Sequence, residues 1–226
     1  FMFGVGTIPL TFKICTLLYE RKTGYVAMLL LATSPLFVEI STVMMPETMI
    51  LFFSALSVLL LIKFLETNNN GYLLAMGATA FLSAFAKWPG IFTLVAVGGY
   101  LLYKRRLEIL KNPYFYVSML VPILLCLIWI FHIRSIAARN VFGSGLLEYL
   151  FFNLKEPLSD VLPKIGLWMA VYIPLTTLGL ALMGVVLAKK EIHLPIFWLF
   201  GGILYYLLFF RGSAAHIHYL SFILPS

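Results

Sequence analysis

The stretch Met49-Ile-Leu-Phe-Phe-Ser-Ala-Leu-Ser-Val-Leu-Leu-Leu-Ile-Lys-Phe-Leu65 carries a single charge, at Lys63. Its length approaches the roughly 20 apolar residues that a helix needs to cross a bilayer, and Lys63 lies near its end, where a long side chain can reach the headgroups. The whole chain of 226 residues has the same character, with 62% hydrophobic residues, 11% charged residues and a mean hydropathy of +1.00. Soluble domains carry roughly 25% charged residues, so this composition predicts a membrane protein.

Similar apolar runs recur along the chain and predict an all-α fold, a polytopic transmembrane helical bundle of about eight spans with a ninth beginning near Ile217. The predicted spans are Phe1–Leu18, Tyr25–Ile40, Met49–Leu65, Tyr72–Ala86, Pro89–Tyr103, Tyr114–Ile133, Ile165–Ala188 and Leu194–Phe210. We interpret residues 1–226 as one transmembrane module, truncated at both ends. The long connector Arg134–Lys164 mixes aromatic and charged residues, which predicts a helical segment lying in the external interface.

The basic residues are spread over the connectors and indicate topology. Numbered alternately, the connectors of one set are short and rich in Lys and Arg, which predicts a cytoplasmic location. This set comprises Glu20–Thr23, Glu66–Gly71, Lys104–Pro113 and Lys189–His193. The other set is predicted to be external and comprises Ser41–Thr48, Lys87–Trp88, Arg134–Lys164 and Arg211–His216. The net charge of +7 therefore does not form one basic face, and no nucleic-acid partner is predicted.

The first candidate site residue is Glu47, in an external connector that contains Pro46-Glu47-Thr48. Pro46 and Glu47 are predicted to open the next helix, where proline needs no N–H and a carboxylate meets the positive end of the helix dipole. Ordinary helix starts use the same residues, so helix capping is an equal alternative to a role in a site.

The second candidate is Lys87, in the tight turn Phe85-Ala-Lys87-Trp-Pro-Gly90. A lysine and a tryptophan at a membrane interface need no functional explanation. However, the chain descends through one predicted span after Glu47 and returns through the next before Lys87. The two residues are therefore predicted to face the same compartment and to be able to share a pocket.

The third candidate is the late segment that contains Arg211, His216, His218 and Tyr219. The two histidines are two residues apart and would point to different faces of a helix, which argues against a two-histidine metal site like that of the zinc helices, whose histidines are four residues apart. Phosphate contact or hydrogen bonding is the functional interpretation, and interfacial anchoring is the alternative. The chain contains no CxxC, HExxH, Walker or GxGxxG pattern. We predict neither a cofactor nor a metal ligand set, and the need for a divalent ion stays open.

With these residues, the chain resembles the GT-C glycosyltransferases that use polyprenyl-phosphate sugars, in the group of protein O-mannosyltransferases and aminoarabinose transferases. Three stretches carry the resemblance: Gly24 to Pro35 followed by Ser41 and Pro46-Glu47-Thr48, then Gly77 to Gly90 with its Lys87, then His218-Tyr219 to Pro225. The sequence departs from the family in two ways. Thr42 stands where relatives often have Arg, and the family's main acidic motif is expected upstream of Phe1.

The resemblance implies transfer of a sugar from a polyprenyl-phosphate-linked donor to a hydroxyl acceptor on a protein, lipid or glycan, with inversion at the anomeric carbon. It implies that the main base lies upstream of Phe1 and that Glu47 is a supporting carboxylate. Contact with the donor phosphate is implied for Lys87, Arg211 and His218, and His216 and Tyr219 join them as candidate substrate contacts. The expected location is the external face of a prokaryotic plasma membrane, with membrane lipid as a partner.

Two alternatives belong to other classes: a transporter or flippase for a lipid-linked or small substrate, and a non-catalytic membrane scaffold. Against a transporter, the ionisable residues gather at one predicted face, and no paired broken helices or charged midplane residues are evident. An external loop with acidic residues upstream of Phe1 would favour the transferase.

Overall fold

The computed structural model describes residues 2–42, 46–137 and 193–199, together with residue 163, and every regular element within those residues is helical. The α-helices are α1 (Met2–Leu18), α2 (Arg21–Thr33), α3 (Pro35–Thr42), α4 (Pro46–Thr67), α5 (Asn70–Ala86), α6 (Ile91–Arg105) and α7 (Pro113–Ala137). Short 3-10 helices cover Trp88–Gly90 and Arg106–Lys111. Residues 193–199 are also helical and pack against α6 through Phe197, which contacts Tyr100 and Tyr103.

Local sequence explains where α4 begins and ends. The helix starts at Pro46 with Glu47 in its first turn, which confirms the prediction that these residues open it. It stops before Asn68, whose φ of 54° is left-handed, a conformation that asparagine tolerates better than most residues. Asn69 then caps α5, because its side-chain oxygen accepts a hydrogen bond from the backbone N–H of Gly71 at 2.8 Å.

The predicted span Tyr25–Ile40 is not one continuous helix, since α2 and α3 meet at an angle of 62°. Pro35 has no backbone N–H, so it cannot continue the hydrogen-bonding ladder of α2, and it becomes the first residue of α3 instead. The residue before a proline is disfavoured in the helical region, and Ser34 is accordingly extended, with φ −64° and ψ 121°. If this pair crosses the membrane, it does so as a broken span, so the absence of broken helices that the sequence suggested does not hold for the described residues.

One end of the bundle, which we call the Glu47 end, gathers the starts of α1, α4 and α6 and the whole of α3. Phe3 of α1 contacts the rings of Phe52 and Phe53 near the start of α4, with centroids 5.4 and 5.6 Å apart. Gly4 faces α3 so closely that a Cβ atom there would lie 2.6 Å from the Ser41 hydroxyl oxygen.

The opposite end, which we call the Asn68 end, joins the α4–α5 connector to the α6–α7 connector. Arg105 donates hydrogen bonds to the Asn68 side chain and to the Leu65 carbonyl at the end of α4. The Asn112 amide donates to the Asn70 side chain at 2.8 Å. These contacts place the connectors Glu66–Gly71 and Lys104–Pro113 together, as the alternating assignment from sequence predicts.

Helices α4 and α5 form an antiparallel pair at the centre, and α5 runs parallel to α7. The parallel contact is very close at Gly77, where a Cβ atom would lie 2.3 Å from the Ser118 carbonyl oxygen, and it continues to Phe85, whose ring contacts Trp129. Lipid tails are as apolar as leucine, so close packing of this kind holds helices together in a membrane. The core contains mainly aliphatic residues of α4, α5 and α6, including Leu61 and Val97.

The faces that point away from this core are apolar and exposed, as expected for contact with lipid. They include Leu29 on α2 and Leu124, Ile128 and Phe131 on α7. Among the described residues, α4 alone is long and apolar enough to cross a membrane, and up to three spans result if each bent pair counts as one. The second bent pair joins Ile91–Lys111 to Pro113–Trp129 at 114°.

The expectation of about eight spans and a ninth is therefore not confirmed and stays a prediction. Helix α7 extends to Ala137, a few residues past the predicted span Tyr114–Ile133 and into the predicted connector Arg134–Lys164. The rest of that connector lies outside the described residues, apart from Pro163, and so do the span Ile165–Ala188 and the start near Ile217.

Candidate functional site: a buried ion pair at one end of the bundle

Glu47 and Lys87 meet at the Glu47 end. The Lys87 ammonium donates a hydrogen bond to Glu47 Oε1 with an Nζ–Oε1 distance of 2.5 Å. The carboxylate is the deeper of the two groups, because 2% of the Glu47 side chain is exposed and 25% of the Lys87 side chain. The structure therefore brings together the two site candidates that were expected to share a pocket.

The α4–α5 hairpin produces this contact. Glu47 is in the first turn of α4, and Lys87 is the C-cap residue of α5, with extended backbone angles of φ −162° and ψ 139°. Its backbone N–H still donates to the Ser83 carbonyl at 3.4 Å, and its own carbonyl accepts from Gly90 at 2.9 Å. A Cβ atom at Gly90 would lie 2.1 Å from the Ser83 carbonyl oxygen, so the turn can pack this tightly on α5 because residue 90 is glycine.

The charges of the pair suit their places on the helices. The Glu47 carboxylate lies at the positive end of the α4 dipole, and the Lys87 ammonium lies at the negative end of the α5 dipole. A charge buried in an apolar environment is costly unless it is paired, and removing one partner of a buried pair typically costs about 3–5 kcal/mol. Both residues are therefore held by the fold, whatever else they do.

Beneath the ion pair lie three buried hydroxyl side chains, one from each of α4, α5 and α6. Ser54 Oγ is 2.8 Å from Ser83 Oγ and 2.6 Å from Thr93 Oγ1. Ser83 also donates to the Ile50 carbonyl of α4 at 3.3 Å. None of these three residues was among the site residues predicted from the sequence.

For two of these residues, the spacing along the sequence already places them on the same helix face as a charged residue. Ser54 follows Glu47 by seven residues, and Ser83 precedes Lys87 by four, so each lies on the same helix face as a charged residue. Thr93 carries no such signal, because its place opposite Ser54 depends on how α6 packs against α4.

The remaining candidates are not described by the structure. Arg211, His216, His218 and Tyr219 all lie outside the described residues. Within the described part of the chain, no group of three or more His, Cys, Asp or Glu side chains is placed to hold a metal ion. Whether the late segment approaches Lys87 therefore stays a prediction.

A bundle of apolar helices with exposed apolar faces and a paired carboxylate and ammonium at one end defines a helical membrane protein with a polar site at that end. Residues 1–132 match the family described as dolichyl-phosphate-mannose-protein mannosyltransferase. The chain belongs to this family, which confirms the resemblance to GT-C glycosyltransferases and places the chain among membrane glycosyltransferases. The matched residues include Glu47, Lys87 and the three hydroxyl residues beneath them.

The chain matches no curated protein and no solved structure.

Proposed function

We propose that this protein transfers a sugar from a polyprenyl-phosphate-linked donor to a hydroxyl group of an acceptor, and that the reaction takes place at the Glu47 end. The observation that carries the proposal is the Lys87–Glu47 pair, with its buried carboxylate and partly exposed ammonium, within the segment that matches the family. Polar groups of this kind are costly in a membrane protein and are commonly retained for function. We further propose that this end faces the external side of a prokaryotic plasma membrane.

The chemistry requires few protein groups. The acceptor oxygen forms a bond to the anomeric carbon while the bond from that carbon to the phosphate oxygen breaks, and the polyprenyl phosphate leaves with the bonding electrons. The acceptor proton passes to a carboxylate base, which we assign to an acidic residue upstream of Phe1. Attack opposite the leaving phosphate inverts the anomeric carbon. Because a phosphate is already a good leaving group, the site needs a base and phosphate-binding groups rather than a dedicated acid.

Lys87 is the residue of the pair that we assign to the donor phosphate. Its side chain is partly exposed, and an ammonium group is a hydrogen-bond donor that suits phosphate oxygens. Glu47 is almost completely buried beneath it, which favours a positioning role: the carboxylate holds the Lys87 ammonium in place and acts on the substrate through it. We therefore propose that Glu47, expected from the sequence to be a supporting carboxylate, supports the reaction by positioning Lys87.

The charge balance of the pair calls for further cations. Because the charges of Glu47 and Lys87 offset each other, the pair supplies a directed hydrogen-bond donor and little net positive charge. Stabilising the additional negative charge that develops on the leaving phosphate therefore requires another group. We assign this role to Arg211 and His218, with His216 and Tyr219 as further substrate contacts.

The test is a transfer assay with the full-length protein in membranes. Labelled polyprenyl-phosphate sugars are supplied as donors, and the matching nucleotide sugars are supplied in parallel, with lipid-donor synthesis blocked. We expect labelled product from the lipid donor alone. Labelled product from the nucleotide sugar under these conditions, or no transfer from any lipid donor, would contradict the proposal.

A further inference from the structure

The three buried hydroxyl groups beneath the ion pair form a continuous hydrogen-bonded chain. One order of donors uses every hydroxyl hydrogen: Thr93 donates to Ser54, Ser54 donates to Ser83, and Ser83 donates to the Ile50 carbonyl. The chain therefore runs from α6 through α4 and α5 and returns to the α4 backbone. We call these three residues the hydroxyl chain.

The hydroxyl chain connects to both members of the ion pair through the backbone. The Ser83 carbonyl accepts a hydrogen bond from the backbone N–H of Lys87, and the Ser83 hydroxyl donates a hydrogen bond to the Ile50 carbonyl of α4. On α4, Ile50 lies one turn from Glu47 and Ser54 lies two turns from it. A shift of α5 along α4 would therefore break the Ser83 hydrogen bonds and separate the Lys87 ammonium from the Glu47 carboxylate at the same time.

Thr93 extends this restraint to the turn that follows Lys87. The turn Trp88–Gly90 leads directly into α6, and Thr93 lies in the first turn of that helix. Its hydroxyl contacts Ser54 at 2.6 Å and Ser83 at 3.4 Å. Both sides of Lys87 along the chain are thus tied to α4 by the same hydroxyl groups.

We infer that Ser54, Ser83 and Thr93 are positioning residues, which hold the Lys87 ammonium against the Glu47 carboxylate and so prepare it for the donor phosphate. The second part of this inference rests on the proposed function, whereas the first part concerns only the ion pair. Membrane helices also use single hydroxyl groups for packing, and such contacts are individually weak. The distinguishing feature of the hydroxyl chain is its place around Lys87.

Ser57 provides a matched control within the same helix pair. It is buried, and its hydroxyl donates to the Met76 carbonyl of α5 at 3.0 Å, so it also links α4 to α5. It lies about one turn further from Glu47 than Ser54, and its hydrogen bond goes to the middle of α5. Replacing Ser57 by alanine therefore removes an α4–α5 hydrogen bond of the same kind, at a place away from the ion pair.

The experiment measures the reactivity of Lys87 in the detergent-solubilised full-length protein. A water-soluble acylating ester modifies accessible amines, and mass spectrometry of the Lys87 peptide gives the rate at that residue. Thr93→Val keeps the shape of the side chain and removes the hydroxyl group, Thr93→Ser restores the hydroxyl group, and Ser83→Ala removes a second member. Glu47→Gln gives the reference acylation rate for a Lys87 side chain that has lost its carboxylate partner.

We expect Thr93→Val and Ser83→Ala to raise the acylation rate of Lys87 about three- to ten-fold, the range expected for the loss of one interhelical hydrogen bond. Thr93→Ser and Ser57→Ala should react like the unmodified protein. Unchanged reactivity in Thr93→Val, or an equal change in Ser57→Ala, would overturn the inference. If Ser83→Ala does not fold, the near-isosteric Thr93→Val still decides the question.

The same variants are then assayed for transfer from a labelled polyprenyl-phosphate sugar. We expect Thr93→Val to raise the KM for the donor by about three- to ten-fold while kcat changes less, because a displaced ammonium weakens phosphate binding before the chemical step. An unchanged donor KM alongside raised Lys87 reactivity would overturn the link to the donor. If the unmodified protein transfers no sugar while the acylation pattern holds, the proposed function fails and the positioning of Lys87 stands.

Discussion

Glu47 and Lys87 illustrate how single residues at this site serve both the fold and the chemistry. The Lys87 ammonium compensates the charge of the buried Glu47 carboxylate, so changing either residue affects stability as well as any contact with substrate. The 25% exposure of Lys87 against 2% for Glu47 makes lysine the group that a ligand can reach. A variant that removes both charges can separate the two roles.

We predict that Glu47→Gln and Lys87→Met each lower thermal stability, because each removes one partner of the pair. Lys87→Met should have the larger effect, since it leaves the almost completely buried Glu47 carboxylate without its cation at a cost of about 3–5 kcal/mol. The double variant should recover most of that stability, since no buried charge remains. Transfer should stay reduced about ten-fold or more in all three variants, because each one removes or displaces the ammonium that we assign to the donor phosphate. The measurements are thermal unfolding in detergent and transfer from the lipid donor.

A double variant that regains both stability and activity would show that the pair serves the fold alone. Loss of stability without recovery in the double variant would instead show that other contacts of these side chains matter more than their charges.

Among the helices, the close approach of α5 to α7 depends on one small residue. A Cβ atom at Gly77 would meet the backbone of Ser118, with distances of 2.3 Å to its carbonyl oxygen and 2.7 Å to its Cα atom. Backbone atoms cannot move away without shifting the whole helix. The parallel packing of these helices, which do not follow each other directly along the chain, therefore rests on the absence of a side chain at Gly77.

We predict that Gly77→Ala lowers the free energy of unfolding by about 1–3 kcal/mol, the usual cost of overpacking. Gly98→Ala is the matched control on α6, because its Cβ atom would meet the flexible Met119 side chain at 3.1 Å. Thermal unfolding of both variants in the same detergent checks the prediction. Equal effects at Gly77 and Gly98 would indicate that general glycine replacement, and not the α5–α7 contact, is responsible.

Across the part of the molecule that the structure describes, the ion pair and the side-chain contacts of the connectors lie at two ends of the bundle, which apolar helices join. The Glu47 end contains the ion pair, and the Asn68 end contains the contacts of Arg105 and Asn112 with the α4–α5 connector. Helix α4, which is long and apolar enough to cross a membrane, joins the two ends. Such a helix crossing a bilayer would place the two ends in different compartments.

We predict opposite accessibility for cysteines placed at the two ends of the full-length protein. Glu39→Cys on α3 should react with a membrane-impermeant maleimide in intact cells, and Glu66→Cys should react only after permeabilisation. Both positions are exposed glutamates, and Cys15 and Cys126 are first replaced by serine to remove background labelling. The reverse pattern would place the ion pair on the cytoplasmic side and contradict an external reaction.

Local pattern alone predicted the helical membrane class, the opening of α4 at Pro46 and the shared end of Glu47 and Lys87. These features follow from apolar runs, from proline geometry and from an even number of crossings, all of which can be read along the chain. The break at Ser34–Pro35 was also readable from proline chemistry, although the unbroken hydropathy of the run concealed it.

Only the tertiary structure decided how deeply each member of the ion pair is buried and that Ser54, Ser83 and Thr93 meet beneath it. The rotation of each helix about its axis and its sliding along a neighbour are set by packing, such as the contact of Gly77 with Ser118 or of Gly90 with Ser83. Hydropathy does not encode those two degrees of freedom, because nearly every face of these helices is apolar. The sequence by itself therefore determined which residues share an end, and packing determined which of their atoms touch.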